Sequence, residues 1–171
     1  MFTLNPLPPQ LSPALVDKLV RAEPATIGHF RHWGFMDPGI KALQPDVRIA
    51  GPAVTVHQPG VDGTIIGYAL GQLRPGDILV VDRCGDTRHA GFGGVVCYAA
   101  KVAKVAGVII DGMVADVARF AATACRCGAA AFPRSLPSAS AWQARSAFRC
   151  HAVALRFAPV TSSSPTRSAS W

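Results

Sequence analysis

The chain has 171 residues, half of them hydrophobic and only 16% charged. That is enough to bury a core and too apolar for a wholly disordered polymer. No apolar run reaches the ~18 residues of a bilayer-spanning helix, and the first fifteen residues carry no basic residue, unlike a secretory leader, so a cytoplasmic location is expected. The net charge of +7 is unevenly spread: residues 1–121 hold eleven Lys/Arg and all ten Asp/Glu, whereas residues 122–171 hold six arginines and no acid. Serine rises and glycine nearly vanishes across the same boundary, which divides the chain into a domain over 1–121 and an unrelated low-order tail over 122–171. Cysteines 84, 97, 125, 127 and 150 are odd in number and irregularly spaced, and Cys125-Arg-Cys127 is too tight for a zinc knuckle. The spacing supports neither a disulfide framework nor a zinc site.

In chain order, Leu11 to Arg21 places apolar residues at helical spacing behind Ser12-Pro13, a helix-start signal. Ala25 to Lys41, rich in glycine and aromatics, reads as a loop. Arg48 to His57 is β-branched and alternating, hence a strand. Asp62 is placed to cap a helix over about Gly63 to Leu73. Pro75-Gly76-Asp77 is a tight turn before a buried strand, Ile78 to Asp82. A polar loop from Gly85 to Gly94 leads into a helix over Val95 to Ala106. A second buried strand, Gly107 to Asp111, precedes a helix over Val114 to Ala122. Strands alternating with helices predict an α/β domain with parallel pairing.

Ligands in such folds gather beyond the carboxyl ends of strands, which directs attention to the loops after Asp82 and Asp111. Asp82 and Asp111 taken singly read as turn caps. Asp116, at the start of a helix, reads either as a cap or as a carboxylate for a hard cation such as Mg²⁺. Gly91-Phe-Gly-Gly94 precedes a helix whose first amides and dipole favour an anion, although it lacks the signature of a nucleotide-binding loop. Arg88 and His89 stand just upstream as exposed candidates for charge and proton transfer. His29 and His32, beside Trp33, have metal-ligand spacing but no third ligand along the chain.

GPAVTV (51–56), PGDILVVD (75–82), Gly93 opening a helix and GVIIDGMVAD (107–116) occur in an order and spacing that resemble the RraA-like family over roughly residues 12–121. That family includes the regulator of ribonuclease activity A and the 4-hydroxy-4-methyl-2-oxoglutarate aldolases, some of which also decarboxylate oxaloacetate. The resemblance implies a swivelling β/β/α fold, here truncated at its C-terminal end, assembled as a homotrimer or hexamer. It implies a lyase acting on a small 2-keto acid, with a divalent cation, Mg²⁺ above all, polarising the keto group. By resemblance, Asp116 is the metal ligand, and Gly93, Gly94, Val95 and Val96 form the substrate loop. Three departures accompany this. Ala115 stands where the family has its carboxylate-gripping arginine, Gly94 where it has an acid near the metal's water shell, and Arg119 where it has a further acid. An Arg–carboxylate fork is a strong contact that alanine cannot supply; Arg88, or Arg83 from the same loop, is the candidate replacement.

After residue 121 the family's Gly-Leu-Pro-Val and its final strand-rich stretch are missing. The genetic code supplies a reason. Ala124-Cys-Arg-Cys127, back-translated with GC-rich codons and read from the third base, gives Leu-Pro-Val. Residues 149–166 in the same offset frame give Val-Ser-Cys-Gly-Gly-Val-Ala-Val-Arg-Pro-Gly-Asp, so the tail reads as a frameshifted C-terminus. Neither a membrane nor nucleic acid is an expected partner: the basic tail has no lysine and several large apolar residues. Three outcomes follow for function: a keto-acid lyase of doubtful activity, a non-catalytic protein-binding regulator of ribonuclease activity favoured by Ala115, or an inactive gene remnant.

Overall fold

Alternation along three apolar strands builds the centre of the molecule. A computed structural model describes residues 4–37, 39–45, 47–122 and 129–131. The elements in chain order are α1 (Pro13–Arg21), α2 (Pro24–Gly28), β1 (Ile40–Lys41), β2 (Ala53–His57), α3 (Thr64–Gln72), β3 (Ile78–Asp82), β4 (Ala90–Phe92), α4 (Gly94–Val102), β5 (Gly107–Asp111), β6 (Met113–Val114), α5 (Val117–Ala122) and β7 (Ala129–Ala131). The main sheet runs β1-β7-β5-β3-β2, and β4 and β6 form a separate parallel pair. Strands β2, β3 and β5 are parallel and in register from the Ala53–Ile78–Gly107 row to the His57–Asp82–Asp111 row. The chain is thus of the α/β class expected from its sequence.

Successive residues of a strand face opposite sides of the sheet. Val54, Val56, Leu79, Val81, Val108 and Ile110 therefore share one face, where they pack with Ile65, Ile66 and Ala69 of α3, Cys97 and Ala100 of α4, and Phe120 of α5. Ile78 and Ile109 point the other way and pack with Ile49, Met36, Ile40 and Val47. Burial on both faces explains why these strands read as continuous apolar runs. The β2–α3 and β3–α4 connections place their loops at the carboxyl edge of the sheet, where the candidate site lies.

The turn before β3 is fixed by Asp77, which is fully buried. Its carboxylate accepts from the Arg74 backbone N–H at 2.9 Å, from Arg74 Nε at 3.1 Å and from Gln10 Nε2 at 2.9 Å. A Cβ on Gly51 would collide with the carbonyl of Gly76, so the GPAVTV strand reaches this turn only through glycine.

Several expectations need correction in detail. The Ala25–Lys41 loop contains α2 and β1, and the Gly85–Gly94 loop contains β4. The last helix begins at Val117 rather than Val114 because Met113–Val114 pair with β4. The fourth helix ends at Val102 rather than Ala106. These short strands span two or three residues and cannot display a period. Asp62 does receive the Thr64 N–H at 2.9 Å, from one position before the Gly63 cap. Three residues beyond the composition boundary, Ala129–Ala131, seat β7 between β1 and β5. Cys125, Cys127, Cys150 and the remainder of the C-terminal reading lie outside the described residues.

Candidate functional site

The Gly93–Gly94 turn and Asp116 meet at the amino end of α4. Asp116 stands immediately before α5 in the left-handed region, with φ +57°, a conformation that aspartate tolerates better than most residues. Its carbonyl accepts the Arg119 N–H at 2.7 Å, while its carboxylate turns away from α5 and accepts the Gly94 N–H through Oδ2 at 3.1 Å. The residue read as a cap of its own helix therefore caps a neighbouring one, and its charge complements the positive end of α4.

Space is tight on the α4 side of this contact. A Cβ on Gly93 would stand 3.3 Å from Asp116 Oδ2, and one on Gly94 would stand 3.3 Å from the same oxygen and 2.8 Å from Arg119 Cδ. Arg119, counted from the sequence only as a lost acid, thus lays its side-chain stem against the turn. The first backbone bond within α4 runs from Cys97 N–H to the Gly93 carbonyl at 2.9 Å. Between them the Val95 and Val96 amides belong to the unsatisfied first turn, and the Val95 side chain is 81% exposed. Ala115, exposed beside Asp116, donates its backbone N–H to the Phe92 carbonyl at 2.9 Å and offers the turn no charge.

The two arginines proposed as replacements have different fates. Arg83 is 1% exposed; Nη2 donates to Asp86 Oδ2 at 3.0 Å and Nη1 to the Gln58 carbonyl at 3.4 Å. Gly91 and Gly112 make its slot, since a Cβ on either would collide with the Arg83 side chain. Arg83 therefore braces the loop. Arg88 is exposed, and its side chain has no hydrogen-bonding partner among the described residues. Asp86 ties this loop together: it accepts the Arg88 and His89 N–H groups at 2.9 and 3.2 Å and faces His89 Nδ1 at 3.0 Å. The Arg88 backbone N–H above all, and then the His89 ring, hold its carboxyl down at about 2, against the opposing effect of burial.

A second constellation was not foreseen as a unit. The strand register sets His57 beside Asp82, with His57 Nδ1 3.0 Å from Asp82 Oδ2. Cys84 Sγ lies 3.4 Å from Nδ1 and 3.3 Å from Nε2 of the same ring. Burial, followed by the nearby Asp82 charge, pushes the Cys84 thiol above its ordinary value. Cysteine spacing along the chain could not reveal this group, because its members come from two neighbouring strands and the turn that follows one of them. The sequence signal was a polar residue ending each of two parallel strands. His29 and His32 are exposed and belong to no such three-donor group among the described residues.

A candidate 4-hydroxy-4-methyl-2-oxoglutarate aldolase of Halalkalibacterium halodurans is 35% identical over 78 residues, which span 46% of this chain and 37% of that protein. The match thus covers well under half the length of that relative. Among solved structures, RraAS2 of Streptomyces coelicolor, an unusual member of the RNase ES inhibitor RraA family, superposes with a TM-score of 0.63 at 24% identity, covering 77% of this chain and 69% of that one. The RNA-processing inhibitor RraA of Thermus thermophilis gives a TM-score of 0.55 at 21% identity, covering 68% and 74%. These likenesses establish the fold. The family model for RraA-like proteins, described as Aldolase/RraA, matches residues 13–156, running past the composition boundary and across most of the chain: this protein belongs to the RraA-like family.

Proposed function

We infer that the amino end of α4 with Asp116 is a keto-acid site of the lyase type, weakened by the loss of its arginine. The observation that supports this reading is the 3.1 Å contact between Asp116 Oδ2 and the Gly94 N–H, which gathers a carboxylate and an anion-binding helix end in one place. A 2-keto acid presents a carboxylate and a carbonyl oxygen; the Val95 and Val96 amides suit the first. The stem of Arg119 against Gly94 brings a cation to the turn from the position where the family has an acid. Exposed Arg88 is the other cation able to approach from the loop.

A divalent metal fits this donor set only in a limited way. Asp116 is a single exposed carboxylate with one oxygen engaged by Gly94 and an arginine stem alongside, suited to an ion that keeps most of its water. Asp116 would hold it alone, and when bound it would supply Lewis acidity to the keto oxygen. The chain's own residues orient the carboxylate, and Arg119 offsets negative charge that would otherwise accumulate at the turn. Mg²⁺ is the cation proposed. Association into a homotrimer is proposed as well, supported by the exposed apolar side chains Val95, Tyr98 and Val102, which recur along α4 at helical spacing.

The test is pyruvate release from oxaloacetate and from 4-hydroxy-4-methyl-2-oxoglutarate, with Mg²⁺ and with chelator. Slow release that stops with chelator and with Asp116→Asn is the expected result; metal-independent release, or none at all, overturns the lyase reading. A second reading, a non-catalytic regulator of ribonuclease activity, is favoured by Ala115, since an alanine cannot grip a substrate carboxylate. Complete catalytic silence together with ribonuclease inhibition would establish it.

A further inference from the structure

We propose that His57, Asp82 and Cys84 form a binding site for a thiophilic divalent cation, Zn²⁺, separate from the Asp116 turn. The donors are an imidazole nitrogen, a carboxylate oxygen and a thiol sulfur, and one atom from each lies within 4.8 Å of the other two. Zinc bond lengths of about 2.0–2.1 Å to nitrogen or oxygen and about 2.3 Å to sulfur set tetrahedral edges of roughly 3.4–3.6 Å. The observed separations, 3.0 Å from His57 Nδ1 to Asp82 Oδ2 and 3.4 Å from Nδ1 to Cys84 Sγ, lie within a few tenths of an ångström of those edges, and the exposed Cys84 side chain would turn toward the in-plane lone pair of Nδ1 to share an ion with it. Softness decides the metal. A thiolate with an imidazole selects zinc over Mg²⁺, which takes oxygen ligands.

The backbone builds this group rather than chance surface proximity. Parallel register sets His57 and Asp82 side by side at the ends of β2 and β3. Cys84, in the left-handed region with φ +56°, folds back over them, its N–H donating to Asp82 Oδ1 at 2.7 Å. That bond leaves Oδ2 to face the imidazole. The alternative chemistry, a Cys–His–Asp nucleophile, needs the thiol and the carboxylate on opposite ring nitrogens. Here Sγ stands at 3.3–3.4 Å from both nitrogens and is not aligned on Nε2, the nitrogen opposite the one that the carboxylate faces. Three protein ligands leave one tetrahedral position for water or an exogenous donor, as in open zinc sites. Binding releases the Cys84 thiol proton to solvent and involves no change of oxidation state.

The experiment is Co²⁺ titration of the purified full-length, reduced chain, followed by the near-ultraviolet thiolate-to-cobalt band, with Zn²⁺ competition. The site predicts one equivalent with a thiolate band displaced by Zn²⁺, lost in Cys84→Ser and weakened at least tenfold in His57→Ala. Asp116→Asn retains the band in full, which separates this site from the lyase reading. Alkylation mapped by mass spectrometry provides the check on unmodified protein: Zn²⁺ protects Cys84 from iodoacetamide and Mg²⁺ does not. A band that survives Cys84→Ser, or equal labelling of Cys84 with and without Zn²⁺, overturns the proposal.

Discussion

Gly94 is the residue on which the Asp116 contact turns. Its amide donates to the carboxylate, and a methyl group there would press on both that oxygen and the Arg119 stem. Gly94→Ala is therefore predicted to lower Mg²⁺-dependent pyruvate release about tenfold or more, because the displaced Asp116 carboxylate loses the Gly94 amide; steady-state kinetics check this. Asp86 gives the pH prediction. Its carboxyl is held at about 2 in the folded chain, below the ordinary aspartate value of about 3.9. The folded state thus favours the ionised form, so the stabilisation is present in full above about pH 4 and is lost as pH falls through about 2. As the pH falls through about 2 and the folded carboxyl itself protonates, Asp86 is predicted to release the Arg88 and His89 amides and the Arg83 guanidinium. Hydrogen exchange of residues 83–89 at pH 5 and at about pH 1.5, below the folded value, should show wild-type protection falling toward that of Asp86→Asn, whose protection stays low at both values.

Among the elements, the strand triplet carries the fold, and its entry turn is the most sensitive point. Removing the buried Asp77 carboxylate strands the Arg74 backbone N–H and frees the Gln10 tether; Asp77→Ala should cost about 3 kcal/mol, measured by urea unfolding. These strands were legible because both of their faces are buried: Ile78 to Asp82 and Gly107 to Asp111 occupy the positions their composition predicted. β1, β4 and β6 were not legible, because two or three residues show no period and their pairing is decided by distant partners. The site divides along the same line. The Gly93–Gly94 turn could be found from local chemistry, glycines before an apolar helix. The direction of the Asp116 carboxylate could not, since a left-handed backbone angle turns it from α5 to α4. His57, Asp82 and Cys84 could be joined only by knowing the register of β2 on β3.

For the molecule as a whole, composition and packing bear on the C-terminal segment. The main helical face of the sheet is closed by α3, α4 and α5, whereas Val80 on the opposite face is only partly covered. We propose that the segment after residue 121 is translated out of frame; sequencing the gene decides it, an open offset frame being expected and a stop codon in that frame refuting it. Net stability of a domain is only about 5–15 kcal/mol, so the chain is predicted to unfold over a broad range and to aggregate. A sharp cooperative calorimetric transition would contradict that. The site itself is tested most directly by backbone amide NMR during titration with pyruvate in the presence of Mg²⁺. The Gly93, Gly94, Val95 and Val96 amides are expected to shift together, and Asp116→Asn to abolish the response; shifts confined to other parts of the chain, or unchanged in that variant, would contradict a keto-acid site at this turn.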